Sequence, residues 1–219
     1  MAKYVMSDIH GCYDKYIEML DKINFSKDDE LYILGDIIDR GKQSMEIFKH
    51  ILENDNITLL KGNHERMFED FIEGNRDFAN SLWRFNGGAK TRKSMYKNLV
   101  SYGEFYFFTK DLPLIMEVDG FILAHASVYT NAPYTNKMDL DTFIASQEDE
   151  QILWDRSSIG EAEYKDYQFI FGHTPVQTIE IGRNTILHIN NSHYIDCGCV
   201  FDGGQLACLR LDDMKEFYV

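Results

Sequence analysis

The chain has 219 residues, 44% hydrophobic and 26% charged, enough to bury a sizeable core, and residues 1–219 read as one domain. With 22 Lys and Arg against 36 Asp and Glu, its formal net charge is −14, which speaks against general affinity for nucleic-acid backbones. "MAKYVMSDIHG" carries no leader or lipidation pattern, and no apolar stretch reaches the roughly 18 residues of a membrane helix, so neither membrane nor nucleic acid is an expected partner.

A cytoplasmic location is expected, and Cys12, Cys197, Cys199 and Cys208 fit a reducing compartment as core or near-core residues. In chain order, "KYVMSDIHG" is a strand-like run that stops at Asp8, His10 and Gly11. Tyr13, Tyr16, Ile17, Leu20 and Ile23 then recur at helical spacing. "LYILGDIIDRG" ends in Asp36, Asp39 and Arg40, and Met45, Phe48, Ile51 and Leu52 follow at helical spacing. "ITLLKGNHER" delivers Asn63, His64 and Glu65, and Met67, Phe68, Phe71 and Ile72 share one helical face. Residues 74–113 read as mostly helical and aromatic-rich. "GFILAHAS" and "FIFGHTP" are further strands, ending at His125 and His173. Strand, polar loop and helix in succession indicate an α/β fold whose ligands gather at the strands' carboxyl ends. "TILHIN", "HYIDCGC" and "LACLRLD" lack long helices between them, so a second, more antiparallel sheet is expected against the first.

Asp, His and Asn without cysteine form an oxygen and nitrogen ligand set that suits Mn, Fe or Zn better than Ca. Asp8, His10, Asp36, Asn63, His125 and His173 suffice for two ions if one carboxylate bridges, and Asp36 is the expected bridge. Two ions about 3.5–4 Å apart are a known solution for hydrolysing phosphate esters, with hydroxide shared between them attacking phosphorus in line. His64 is the candidate general acid, and Asp39 could fix its tautomer and raise its basicity. Arg40 suits a phosphate because its planar fork binds two oxygens at once.

"SDIHG", "GDIIDRG", "GNHE", the strand-end His125 and "GHT" resemble the ordered motifs of calcineurin-like metallophosphoesterases, the phosphoprotein phosphatase branch in particular. "ILWDR" ending at Arg156 and "YIDCGCVFDGGQLACLRL" extend the resemblance over nearly the whole chain, toward the compact bacterial and phage enzymes. It implies two mixed β-sheets packed as a sandwich flanked by α-helices. It implies one metal on Asp8, His10 and Asp36 and a second on Asp36, Asn63, His125 and His173. His64 with Asp39 would be the acid pair, and Arg40, Arg156 and Asn63 would reach the phosphate. The cofactors would be two divalent or trivalent ions, Mn²⁺ first, with Fe, Zn and Ni as alternatives. The implied activity is a serine/threonine protein phosphatase, with phosphotyrosine as a further target, acting on phosphoproteins or small phosphate esters without a regulatory subunit. A symmetrical diadenosine tetraphosphate hydrolase and, more remotely, a non-catalytic binding module are the alternatives. Taken alone, Arg156 could be a surface arginine stacked on Trp154. His50, His188 and His193 sit in no motif and read as structural, and Asp196 and Asn86 as structural or supporting residues.

Overall fold

A computed structural model describes residues 1–74 and 81–219, so part of the middle expected to be helical, residues 75–80, lies outside the described residues. Its strands are β1 (Lys3–Met6), β2 (Glu30–Ile33), β3 (Ile57–Leu59), β4 (Ile115–Val118), β5 (Phe121–Ala124), β6 (Gln168–Phe171), β7 (Leu187–Ile189), β8 (Ser192–Tyr194), β9 (Ala207–Arg210) and β10 (Lys215–Tyr218). They form two five-stranded sheets, ordered β10-β9-β1-β2-β3 and β4-β5-β6-β8-β7. In the first, Met6 stands opposite Ile33 and Ile33 opposite Leu59 in parallel register, while Cys208 faces Met6 across an antiparallel pair. In the second, β5, β6 and β8 run parallel between the antiparallel strands β4 and β7.

The second sheet is therefore as mixed as the first, not more antiparallel. The "LACLRLD" strand, β9, joins the first sheet beside β1. Apolar strand residues satisfy either sheet equally well, and only their long-range pairing decides which they join.

Side-chain alternation sorts the core into two layers. Val5, Tyr32, Leu34 and Leu209 point between the sheets and meet Ile122, Phe169 and Phe171. Tyr4, Met6, Leu31, Ile33 and Cys208 point the other way, onto the helices. Strands covered on both faces explain the unbroken apolar runs of the sequence. A fully buried Leu, Ile or Phe contributes about 1.5–3 kcal/mol, so these layers are the main source of stability.

The helix-side layer is closed by α1 (Tyr13–Ile23), α2 (Ser44–Leu52) and α3 (Asn63–Glu73). They bury Tyr16, Met19, Leu20 and Ile23, then Met45, Ile47, Phe48 and Ile51, then Met67 and Phe68. Leu52, expected on the apolar face of α2, is instead exposed at the helix's last residue. After a π-helical turn at Arg84–Gly88, α4 (Ala89–Asn98) and α5 (Tyr102–Thr109) add aromatic packing. Phe48 meets Phe105 edge-on with ring centroids 5.1 Å apart, and Phe68 meets Trp83 at 5.2 Å. Short helices α6 (Ala132–Thr135), α7 (Leu140–Ala145), α8 (Asp149–Trp154) and α9 (Val176–Ile179) decorate the second sheet's connections. Among the described residues, no helix is long and apolar enough to cross a membrane.

Candidate active site

The loops following β1, β2, β3, β5 and β6 bring Asp8, His10, Asp36, Asn63, His64, His125 and His173 together, and all seven are buried. The backbone bends sharply to do this. Asp8, His10, Asp36, Asp39, Arg40 and His173 all have φ between 46° and 69°, the left-handed region that side-chain-bearing residues rarely adopt. Two glycines permit the close approach. A Cβ on Gly62 would lie 2.2 Å from Asp36 Oδ1, and one on Gly172 would lie 2.3 Å from Asp8 Oδ2.

Asp36 occupies the centre. Its Oδ2 lies 3.5 Å from His10 Nε2 and 3.8 Å from His64 Nε2, and its Oδ1 lies 3.6 Å from His125 Nε2. Two potential metal-holding groups, His10–Asp36–His64 and Asp36–His125–His173, thus share one carboxylate, with ligand atoms in each group within 4.8 Å of one another. Asp8 joins the first side: its Oδ1 is 3.9 Å from His10 Nε2, while its Oδ2 accepts hydrogen bonds from Ser7 Oγ and from the His173 N–H at 2.8 Å. Asn63 joins the second side, with Oδ1 2.9 Å from His125 Nε2 and 3.0 Å from His173 Nδ1.

The donor set fits a cation on three observations. His125 Nδ1 donates to the Leu34 carbonyl at 2.6 Å, which leaves only a lone pair on Nε2. That lone pair faces Asn63 Oδ1, so two acceptors confront each other where a positive ion would reconcile them. His64 Nε2 is buried and has no hydrogen-bond partner. His10 Nδ1 is 2.8 Å from the Ile38 carbonyl, and its Nε2 meets the Arg40 guanidinium, which must withdraw before that nitrogen can ligate.

Charge follows the same logic. Burial lowers the pKa of His10, His64, His125 and His173, keeping the imidazoles in the neutral form that can ligate. Burial, reinforced by Asp8 and then Glu65, raises Asp36 well above the usual carboxylate range. A bound cation would offset that cost and favour the ionised carboxylate.

His64 and Asp39 form a second unit, with His64 Nδ1 2.7 Å from Asp39 Oδ2. Asp39 also accepts from Trp83 Nε1 at 3.0 Å and from Thr91 Oγ1, while its own N–H donates to Thr91 Oγ1 at 2.8 Å. Its carboxyl is pushed up to about 8 by burial, against the pull of the Thr91 and Trp83 hydrogen bonds. Arg156 is exposed, yet it is tied to the site. Its Nε donates to His173 Nε2 at 3.0 Å, and with Arg40, His173 and Phe201 it lines a cleft of about 390 Å³.

Several supporting residues were not expected. Glu65 Oε2 accepts from the Asp36 N–H at 2.8 Å and the Gly62 N–H at 3.0 Å, tying the loops after β2 and β3 together. Its place in the first turn of α3 was the available signal. Thr91 and Trp83 carried none, because nothing near them in sequence is polar in the same pattern. Asp196 is buried and accepts from the Gly198 N–H at 2.9 Å, and Asn86 makes a local bond to the Leu82 carbonyl at 2.9 Å. His50, His188 and His193 lie outside the site: His50 pairs with Tyr16, and His188 and His193 pair with each other.

A sandwich of two mixed sheets with Asp, Asn and His converging on the strand ends defines a metal-dependent phosphate-ester hydrolase. The calcineurin-like phosphoesterase family model matches residues 1–211, and the chain belongs to that family. It is 30% identical over 215 residues to serine/threonine-protein phosphatase 1 of Salmonella typhimurium, covering 95% of this chain and 91% of that one. It is 25% identical over 242 residues to an asymmetrical bis(5′-nucleosyl)-tetraphosphatase of a Geobacillus strain, covering 98% and 92%. The fold resembles a serine/threonine phosphatase structure from Saccharomyces cerevisiae, with a TM-score of 0.63 at 16% identity over 100% of this chain and 79% of the other.

Proposed function

We propose that the chain is a dinuclear-metal phosphomonoesterase that removes phosphate from phosphoserine and phosphothreonine in proteins, and from phosphotyrosine as well. The observation that carries this reading is Asp36, which turns one oxygen toward each of two groups of potential ligands, beside a buried His64 Nε2 that has no partner. Asp8, His10 and Asp36 would hold one ion, and Asp36, Asn63, His125 and His173 the other. The oxygen and nitrogen donors suit Mn²⁺ first, then Fe, Zn or Ni. When bound, such ions supply a nucleophilic water near neutral pH and neutralise phosphoryl oxygens.

The remaining roles belong to the chain. Arg40 and Arg156 grip phosphate oxygens, and Asn63 reaches the phosphate while also serving as a ligand. His64 gives a proton from Nε2 to the departing oxygen. Asp39 holds Nδ1 so that the ring keeps its orientation, with Nε2 toward the departing oxygen. The full-length likeness to the Salmonella phosphatase supports a protein substrate.

The full-length likeness to the Geobacillus tetraphosphatase favours a second reading, cleavage of dinucleoside tetraphosphates by the same residues. A substrate comparison on Mn-loaded protein separates them, using phosphoserine and phosphothreonine peptides, a phosphotyrosine peptide and diadenosine tetraphosphate. Chelator-sensitive phosphate release from the peptides supports the first reading. Untouched peptides with cleavage of the dinucleotide overturn it, and the products report the cut: ADP for a symmetrical one, ATP and AMP for an asymmetrical one.

A further inference from the structure

The acidic excess of the chain is not spread evenly. Residues 81–103 contain Arg84, Lys90, Arg92, Lys93 and Lys97 and no Asp or Glu, although the whole chain has 36 acids against 22 bases. All five cations are exposed, and all but Arg84 lie on α4. Lys97 pairs with Glu46 at 2.8 Å, whereas among the described residues Arg84, Lys90, Arg92 and Lys93 have no ion pair. The stability of the helix does not account for this choice. Thr91, Ser94 and Met95 form its buried face, which leaves Lys90, Lys93 and Lys97 as neighbours three and four positions apart on the other. Like charges at those spacings repel, and Lys90 and Arg92 lie in the first turn, where the helix dipole favours acids. Sequence that gives up local stability in this way marks function.

The same face begins at the candidate active site. Gly87, just before α4, packs so close to the loop after β2 that a Cβ on it would lie 2.6 Å from Arg40 N. Thr91, between Lys90 and Arg92, donates from Oγ1 to Asp39 and accepts from the Asp39 N–H at 2.8 Å. The first turn of α4 is thus fastened beside Arg40 and the His64–Asp39 pair, and its cations run outward from there.

We infer that the outer face of α4 is a docking surface for an acidic stretch of a phosphorylated protein chain, flanking the residue held in the cleft; the inference rests on the protein-phosphatase reading. Lys90 and Lys97 are seven residues apart, about 10 Å along the helix axis. Three residues of extended peptide, at about 3.3 Å each, cover the same length. The surface therefore matches a short run of Asp or Glu, whose carboxylates meet cations that have no partner of their own. A nucleic acid or an anionic bilayer fits less well, because its charge continues past this short face onto a chain of net charge −14. Exposed charges of this kind fix register and speed encounter, so the surface selects among substrates and leaves the chemistry to the strand ends.

The test compares two phosphoserine peptides on Mn-loaded, full-length protein, one with a run of glutamates on each side of the phosphoserine and one with glutamines there. p-Nitrophenyl phosphate, which carries no chain to reach α4, is the reference substrate. The glutamate peptide should show a kcat/KM about tenfold higher, mainly through KM, and the advantage should shrink as salt rises from about 0.05 to about 0.5 M. Lys90→Glu combined with Lys93→Glu should abolish the preference and hold p-nitrophenyl phosphate turnover within about twofold. That variant should melt no lower than the parent, because it relieves like-charge repulsion. Lys90→Arg combined with Lys93→Arg should keep the preference. Fluorescence anisotropy of both peptides reads binding without turnover. Hydrolysis of p-nitrophenyl phosphate alone, with the glutamate peptide still bound preferentially through Lys90 and Lys93, would remove the protein-phosphatase reading and keep the docking surface. Equal rates and equal binding for the two peptides, or an equal loss on p-nitrophenyl phosphate in the charge-reversed variant, would overturn the inference. So would tighter Lys93-dependent binding of single-stranded DNA or phosphatidylserine vesicles than of the glutamate peptide.

Discussion

Two groups of histidines lie in this molecule, one buried at the strand ends and one part-exposed at the sheet edges, and their neighbours differ in kind. At the strand ends, the ring nitrogens of His10, His125 and His173 face carboxylate or amide oxygens or arginine guanidinium groups, and His64 Nε2 faces no hydrogen-bond partner. At the far edges of the sheets, His188 on β7 and His193 on β8 lie with their Nδ1 atoms 2.6 Å apart. His188 Nε2 reaches Glu216 Oε1 on β10 at 2.9 Å, and His193 Nε2 reaches the Gln168 amide at 2.8 Å. With both Nε2 atoms turned to oxygens, the two Nδ1 atoms of that chain share a single proton, whereas the strand-end cluster turns oxygens of Asp8, Asp36 and Asn63 onto several ring nitrogens at once. Proximity is common to both. What marks the candidate metal site is the convergence of two groups of potential ligands on one buried carboxylate, Asp36.

The contrast can be broken most severely at Asp36. Asp36→Asn should release bound metal and cut turnover by about 10³-fold or more, the several kcal/mol that metal catalysis supplies. Glu216→Gln, the same exchange at the edge cluster, should change neither. Elemental analysis with kinetics reads both variants, and an Asp36→Asn protein still holding two tight ions removes Asp36 as the bridge.

Next in size is His64→Asn, expected to keep the metals and lose about 10²–10⁴ in turnover. Measuring leaving groups of rising pKa sharpens it, since the loss should grow as departure becomes harder. An equal loss for every leaving group takes the acid role from His64. Arg156→Ala should raise KM about tenfold, the scale of one charged hydrogen bond, with little change in kcat. An unchanged KM frees Arg156 from the phosphate.

The smallest effect concerns stability at the edge cluster. Burial, aided by the neighbouring His188, lowers His193 to about 4, so its ring stays neutral in the fold while the unfolded chain takes up a proton below about 6.5. The unfolded state then binds more protons, and stability present above pH 6.5 drains away as pH falls toward 4. Thermal melts across that window should show the fall, and His193→Gln should make it shallower, the buried strand-end histidines contributing the remainder. A His193→Gln profile as steep as the parent's assigns the acid sensitivity elsewhere.

The strand-end residues were legible because each lies within a few positions of the apolar run that delivers it. Asp8, Asp36, Asn63, His125 and His173 each follow a strand directly, and ligand chemistry is a property of residue type. The supports were not legible in the same way. Thr91 and Trp83 reach Asp39 from 52 and 44 positions away, through packing that no local pattern encodes. The assignment of β9 to the first sheet failed to show for the same reason, since strand pairing is non-local. Glu65 lay in between: its position in the first turn of α3 announces a cap, but not that the cap also binds the loop holding Asp36.

The left-handed backbone at Asp8, His10, Asp36, Asp39, Arg40 and His173 sets protein engineering against itself. Each such residue costs about 1 kcal/mol that glycine would not. A redesign scored on thermal stability alone would be drawn to glycine at these positions, and its sturdier product would have lost the side chains that gather at the strand ends.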